Sequence, residues 1–208
     1  MTTLTNARAA LLQRLSLQSA DQAATTTALD LALNEGLQAY ASVHDWWWLE
    51  EITSFSTTAS DHTYSLPADY AATLAVYTAD RQLQSRKYTD ILRYFDGTTT
   101  GDPAFYAVRD SELFLAPAPN DSTTTVYHHY VRFEDTLSSG GDEPLIPSRY
   151  DGLWLSHAAV WLAAKIGDDK RYAMQVKERN DWIARLRDMK RPDRALAPPK
   201  VRRDTSWS

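Results

Sequence analysis

Residues 101–121 decide the fold, and they read Gly-Asp-Pro-Ala-Phe-Tyr-Ala-Val-Arg-Asp-Ser-Glu-Leu-Phe-Leu-Ala-Pro-Ala-Pro-Asn-Asp. Two short apolar runs flank Arg109-Asp110-Ser111, an arrangement that is typical of a compact β-hairpin. Pro117 and Pro119 have no backbone N–H, so we expect the second strand to stop pairing after Ala116. No residue of this stretch suggests catalysis. Its position is informative, because helical patterns lie on both sides of it.

Further strands are predicted around this hairpin. Residues 51–58 alternate in polarity and predict a strand, and residues 61–67 predict its returning partner. Residues 74–77 and 123–133 predict two more strands, whereas residues 88–95 have the spacing of a short helix. The middle of the chain is therefore predicted to be β-rich.

Helical patterns occupy both ends of the chain. Residues 5–17, with Thr5 as N-cap, and a segment that starts at the cap Asp21 are predicted to be antiparallel neighbours. Gly36 within the second helix costs about 1 kcal/mol of helix propensity, which close packing against a neighbour would explain. Two closing helices are predicted over 148–167 and 168–191, with the following side chains buried between helices: Trp154, Trp161, Leu162 and Ile183.

These patterns predict an α+β fold, in which a helical bundle carries an inserted antiparallel β-rich region and an extended C-terminal arm. The N-terminal helices of the bundle are predicted at 1–49 and the β-rich insertion at 50–137. A Gly-rich flexible loop is expected at 138–147, the C-terminal helices of the bundle at 148–191, and a proline-containing basic arm at 192–208.

Three consecutive tryptophans, Trp46-Trp47-Trp48, end the second predicted helix. Neither a helix nor a strand can direct three successive side chains toward one core, so at least one indole meets a second surface. That surface is either a junction with the β-rich region or a contact between subunits, since tryptophan is enriched in interfaces. The chain as a whole has 7 Trp and 11 Tyr, a composition that suits a large core or a protein interface.

The charge is unevenly distributed along the chain. The net charge is −5, which disfavours a dedicated nucleic-acid-binding protein. Residues 190–208 carry six basic and two acidic side chains, about +4, which leaves about −9 for the rest. A basic terminal segment predicts an arm that docks on an acidic partner surface. The alternative is a disordered terminus that only improves solubility.

Several classes of protein are excluded or disfavoured. The absence of cysteine excludes disulfide scaffolds, thiolate zinc sites and iron–sulfur clusters. No apolar run is long enough to cross a bilayer, and no signal-peptide pattern follows Met1, so we expect a protein that acts without a membrane and without secretion.

No standard catalytic motif occurs in the sequence. His128 and His129 lie in a predicted strand and so point to opposite faces, which prevents both from binding one metal. His157 is predicted to be a hydrogen-bonded core residue. We therefore expect no enzyme activity, no metal and no cofactor. The alternative is a small hydrolase that uses His44, His62 or His157.

Taken in order, the segments resemble the head-to-tail adaptor proteins of tailed bacteriophages, of the tail tubular protein A and tail accessory factor type. The resemblance covers nearly the whole chain and depends on the order and spacing of ordinary motifs. The segments that carry it are Trp46-Trp47-Trp48, 64–70, 101–106, 113–119, 127–133 and the Ala-rich stretch 157–164.

This resemblance implies a structural virion protein of the neck or tail, made in the host cytoplasm. It implies a ring of twelve copies beneath the portal, a lower surface that receives the tail tube or nozzle, and a channel through which double-stranded DNA passes without specific binding. The arm would reach the portal protein through Arg191, Arg194, Lys200, Arg202, Arg203 and Trp207. Another ring-forming neck component, such as a completion or tail-terminator protein, is the alternative.

Overall fold

The computed structural model describes residues 2–18, 25–44, 46–95 and 99–187. These residues form two compact units. A helical unit combines the described residues up to Leu49 with Phe133–Arg187, and a β unit consists of the described residues of Glu50–Arg132. Within the described ranges, five helices and two sheets give a mixed α+β fold, as predicted.

The first two helices are α1 (Leu4–Arg14) and α2 (Thr26–Ala41). Each begins after a threonine whose hydroxyl accepts a hydrogen bond from the backbone N–H three residues later: Thr3 caps α1 and Thr25 caps α2. The predicted cap Thr5 is wrong, because Thr5 already lies in the first turn of α1. The predicted cap Asp21 lies outside the described residues.

The closing helices are α4 (Asp151–Ile166) and α5 (Asp169–Arg187). Residues Ser148–Tyr150 form a 3-10 turn, so α4 begins three residues later than predicted. Gly167 ends α4 in the left-handed conformation, with φ +69°, which glycine adopts without a steric penalty. Asp168 then caps α5 by accepting a hydrogen bond from the backbone N–H of Arg171 at 2.9 Å.

Helix α4 lies at the centre of the helical unit, where it packs against α1, α2 and α5. A Cβ atom at Gly36 of α2 would lie 2.6 Å from the backbone nitrogen of Ala158, so the predicted close approach at this glycine is confirmed. Trp154 is fully buried, but Trp161 and Ile183 are only half-buried. The prediction that Trp161 and Ile183 are buried followed from helical periodicity, which places both on the apolar faces of their helices. In the structure, the neighbouring elements cover only part of these faces.

The β unit contains two sheets. In the first, β7 (Thr125–Arg132) lies between β1 (Glu50–Ser56) and β3 (Tyr70–Thr78), with all strands antiparallel. The second sheet has the order β2-β6-β5-β4, and its strands are β2 (Thr63–Ser65), β4 (Gln84–Ser85), β5 (Phe105–Arg109) and β6 (Glu112–Ala116). The predicted pairing of the first two strands is wrong, since β1 pairs with β7 and β2 pairs with β6.

The predicted hairpin of β5 and β6 is confirmed. Its two-residue turn consists of Asp110 and Ser111, both with positive φ, which matches the twist of the two strands. Strand β6 ends at Ala116 as predicted. Two further backbone hydrogen bonds follow, because the carbonyls of Ala118 and Pro119 accept from the N–H groups of Gly101 and Ser60, both at 2.8 Å. The prolines remove donors from this segment but leave its acceptors in place.

The hairpin is buried on both faces. One face contributes Tyr106, Leu113 and Leu115 to a core that also contains residues of the first sheet, namely Val76 and Val126. The other face is covered by the short helix α3 (Tyr88–Ile91), and its core consists of Ile91, Ala107, Phe114 and Ala116. The second sheet is therefore the middle layer of the β unit.

Candidate assembly surfaces

The tryptophan cluster consists of Trp46, Trp47 and Trp48. Trp46 is buried, and its indole N–H donates to the carbonyl of Tyr40 at 2.9 Å. The rings of Trp46 and Trp48 are stacked, with centroids 4.9 Å apart, and Trp48 also stacks on Tyr150. Trp47 packs edge-on against Trp48. The indole of Trp46 is thus part of the core, whereas Trp47 and Trp48 are half-exposed and able to contact another surface.

Tyr40 connects this cluster to a buried carboxylate. Its hydroxyl donates a hydrogen bond to Oε1 of Glu134, and Oε2 of Glu134 accepts from the backbone N–H of Leu145 at 3.0 Å. Burial and the neighbouring Glu134 carboxylate raise the pKa of Tyr40 far above its ordinary value. Tyr40 therefore stays neutral and acts as a permanent donor to Glu134.

Two other side chains of α2 bind the same returning segment. Asn34 exchanges two hydrogen bonds with the backbone of Leu137, at 2.8 and 3.0 Å. Gln38 donates to the carbonyl of Glu134 at 3.0 Å. These contacts fix the point at which the chain re-enters the helical unit after the β unit. Local sequence gives no signal for them, because the partners lie about a hundred positions apart.

The predicted flexible loop has defined hydrogen bonds in its first half. Oδ2 of Asp142 accepts from the backbone N–H groups of Ser138 and Ser139, both at 2.7 Å, and these bonds lower the pKa of Asp142. The carbonyl of Gly140 accepts from the N–H of Thr5 at 3.1 Å. The segment is thus hydrogen-bonded to the start of α1. The expectation of a flexible loop did not include these contacts.

The predicted arm residues Arg191, Arg194, Lys200, Arg202, Arg203 and Trp207 lie outside the described residues. Their predicted contact with a portal protein stays a prediction. The same holds for a subunit contact or a β-region junction at the tryptophan cluster.

The adjacent histidines of β7, His128 and His129, have different partners. Nε2 of His128 lies 3.0 Å from the hydroxyl of Thr73, whereas Nε2 of His129 lies 3.3 Å from a carboxylate oxygen of Glu50. They therefore occupy opposite faces of β7, as predicted. Burial, together with the nearby His129, lowers the pKa of His128 to about 4. Among the described residues, no group of three acidic or histidine side chains could hold a metal ion.

The histidines named for a hydrolase have different surroundings. His44 is exposed and packs edge-on against Trp46, while Nδ1 of His62 lies 3.3 Å from the carbonyl oxygen of Leu115. His157 is buried as predicted, but its Nε2 has no hydrogen-bond partner in the described part of the chain, so the predicted hydrogen bond is wrong for that atom. Burial and the charge of Arg179 lower the pKa of His157 to about 4.

None of the helices in the described ranges combines the length and the apolar character needed to cross a bilayer.

The family model of the SU10 adaptor protein matches residues 2–204, nearly the whole chain and both units of the structure. No curated protein matches the sequence. Because the match covers far more than half of the chain, this protein belongs to the SU10 adaptor protein family, a family of phage adaptors.

Proposed function

We propose that this protein forms a ring of twelve copies beneath the portal, joins the portal to the tail tube or nozzle, and continues the DNA channel. This is the role of adaptors of the tail tubular protein A and tail accessory factor type, which the sequence resembles. The observation that carries the proposal is the match of an adaptor family over residues 2–204. A phage adaptor is a structural component of the virion, in line with the expectation of a protein without catalytic function.

The charge distribution supports a portal-binding arm. Six of the 22 basic residues lie in 190–208, and the remainder of the chain has a net charge of about −9. A basic segment with three prolines in its sequence suits an extended arm that binds an acidic surface of the portal. The proposed contacts are made by Arg191, Arg194, Lys200, Arg202, Arg203 and Trp207.

Half-exposed aromatic side chains support contacts between copies. Trp47 and Trp48 present ring surface next to the buried Trp46, so a rigid aromatic surface is available without rearrangement. Helix α5 adds Tyr172 and Met174, which are 42% and 56% exposed. Aromatic residues and methionine are enriched at the centres of protein interfaces, so these surfaces suit neighbours in a ring.

The acidic character outside 190–208 suits a channel through which DNA passes. Tight and salt-dependent binding of DNA needs several Lys or Arg contacts with phosphates. A channel wall formed by a chain of net negative charge avoids such contacts, so double-stranded DNA passes without specific binding.

The experiment that tests the proposal uses the full chain and the portal protein encoded by the same phage genome. Sedimentation velocity over a range of concentrations should show a monomer or a weakly associated species, and electron micrographs of the mixture should show a ring on the portal. A protein that forms no complex with the portal would contradict the proposal. A ring that instead caps isolated tail tubes would favour the tail-terminator alternative, and hydrolytic turnover lost in His157→Ala would favour the hydrolase.

A further inference from the structure

A cleft in the β unit is lined by two arginines and two aromatic rings. It lies beside the short helix α3, at the start of β5, and has a volume of about 380 Å³. The residues that line it are Arg86, Asp90, Ile91, Arg93, Tyr94 and Phe105. None of these lining residues belongs to the tryptophan cluster, and neither the resemblance nor the family match assigns the cleft a role.

Each of the two arginine side chains lies over an aromatic ring. The guanidinium carbon of Arg86 lies 5.3 Å from the centroid of the Phe105 ring, and that of Arg93 lies 5.0 Å from the centroid of Tyr94. The two rings pack against each other with centroids 5.9 Å apart. A guanidinium over an aromatic face keeps its N–H groups at the edge, so they remain available for an anion.

Within the described ranges, neither Arg86 nor Arg93 has a carboxylate within ion-pair distance. Arg86 donates to the side-chain oxygen of Gln84 at 3.0 Å, and Arg93 donates to the hydroxyl of Tyr94 at 3.1 Å. Each of these contacts uses one terminal nitrogen of a group with five N–H donors. Arg109 on the same side of the sheet differs, because it pairs with Asp110 at 2.9 Å.

The backbone beneath the cleft is fixed. The N–H of Arg86 donates to the carbonyl of Tyr106 at 2.9 Å, continuing the parallel pairing of β4 with β5. Ile91 is 1% exposed and anchors α3 on the core below it. Arg86 directly follows β4 and Arg93 follows α3, so the backbone of both arginines is held by these elements and a ligand would meet a largely preformed site.

The charge around the cleft contrasts with the rest of the β unit. Residues 50–132 contain eleven acidic and six basic side chains. The cleft lining holds two of those six basic residues, Arg86 and Arg93, and one acidic residue, Asp90, so its net charge is about +1. A unit with a net charge of about −5 thus contains a cleft of positive net charge with aromatic walls, which points to an anionic group on a partner.

We propose that the cleft between Arg86 and Arg93 binds the carboxylates of an acidic segment on a partner protein. A carboxylate matches the planar, two-pronged donor geometry of arginine, and the Tyr94 and Phe105 rings suit the methylene groups or rings next to it. The phosphate backbone of a nucleic acid is the alternative occupant, and the DNA duplex in the test below distinguishes it from the peptide. The inference adds a second binding surface and does not depend on the basic arm or on ring formation.

The test uses the full-length protein and a fluorescein-labelled synthetic peptide of glutamates interrupted by one phenylalanine, with fluorescence anisotropy at low salt as the readout. The double substitution Arg86→Gln and Arg93→Gln should weaken binding by about tenfold or more, since it removes both charge-assisted contacts. Arg86→Lys with Arg93→Lys should restore only part of the affinity, because lysine keeps the charge but not the two-pronged geometry.

The matched control is Arg81→Gln with Lys170→Gln, which changes the net charge equally at two exposed positions outside the cleft. It should leave affinity within about twofold of the parent at equal ionic strength, because neither of its two side chains lines the cleft. Thermal unfolding of every variant should match the parent, since all four side chains are exposed. Absence of saturable peptide binding, or an equal loss in the control, would overturn the proposal. Tighter binding of a DNA duplex than of the peptide, lost in the Arg86 and Arg93 variant, would overturn it in favour of phosphate.

Discussion

The hydroxyl of Tyr40 donates a hydrogen bond to the carboxylate of Glu134, a residue 94 positions later in the sequence. Both side chains are buried, with exposures of 0% and 4%. The bond joins α2 to the segment that follows the β unit, so the chain enters and leaves the β unit at positions fixed by the helical unit. A buried carboxylate needs such donors, because it has lost its hydration.

Tyr40→Phe should lower the free energy of unfolding by about 1–3 kcal/mol, because the Glu134 carboxylate loses a buried donor while the packing volume stays nearly constant. Urea denaturation measures the change. Tyr172→Phe removes a hydroxyl from a side chain that is 42% exposed and serves as the matched control. Equal stability of the two variants would show that the Tyr40–Glu134 bond contributes nothing.

Gly36→Ala should destabilise the helical unit, although alanine is the better helix former by about 1 kcal/mol. The new Cβ would lie 2.6 Å from the backbone nitrogen of Ala158 and 2.8 Å from its Cβ, so α2 and α4 must separate. Overpacking of this kind costs about 1–3 kcal/mol.

Gly141→Ala is the control for this substitution, since nothing lies within 4 Å of a Cβ at that position. Urea denaturation of the two variants should show a loss at Gly36 and nearly parental stability at Gly141. A stabilised Gly36→Ala protein would mean that helix propensity outweighs the close contact.

Trp154→Ala should cost about 3–5 kcal/mol of unfolding free energy, because the ring is fully buried in the first turn of α4. Trp161→Ala should cost clearly less, since its ring is half-buried. Thermal and urea unfolding of the two variants, measured side by side, test this order. A larger loss at Trp161 would show that α4 buries a different face.

Stability should fall as the pH drops from about 6.5 toward 4, in part through His157. Its pKa is about 4 in the folded protein, below the ordinary value of 6.5, so the unfolded chain takes up the proton first. The full stability contribution is present above pH 6.5 and is lost as the pH falls toward the folded pKa, by up to about 1.4 kcal/mol per pH unit.

His157→Gln should therefore flatten the dependence of unfolding free energy on pH between 7 and 5, even if it lowers stability at pH 7. His44→Gln, at an exposed position, should keep the parental slope. An unchanged slope in His157→Gln would mean that the buried imidazole is not the titrating group.

Deletion of residues 193–208 should abolish binding to the portal and leave the unfolding transition unchanged. The reason is that this segment has no periodic apolar pattern that could join a core, while it carries four of the basic residues proposed to contact the portal. Sedimentation of the truncated chain with portal rings measures the loss. A truncated protein that still binds portal rings with the parental affinity would refute the role of the arm.

Local sequence determined much of the secondary structure. Two short apolar runs on either side of Arg109-Asp110-Ser111, followed by Pro117, were enough to predict the β5–β6 hairpin, because its partners are neighbours in the chain. Gly167 and Asp168 likewise marked the end of α4 and the start of α5 by their backbone and capping preferences. The glycine at position 36, unfavourable for an isolated helix, correctly indicated close packing.

Only the tertiary structure decided which distant segments meet. Three examples are the pairing of β1 with β7, the hydrogen bond of Tyr40 with Glu134 and the placement of Arg86 over Phe105. In each case, the local sequence around one partner does not indicate the other. Such pairings depend on the total apolar surface that the whole chain buries and on the hydrogen bonds that it satisfies at once. The entropy of closing a long loop changes only slowly with loop length, so it does not by itself select one distant partner over another. Periodicity and capping therefore determine where an element begins and ends, whereas burial summed over the whole fold determines its partner.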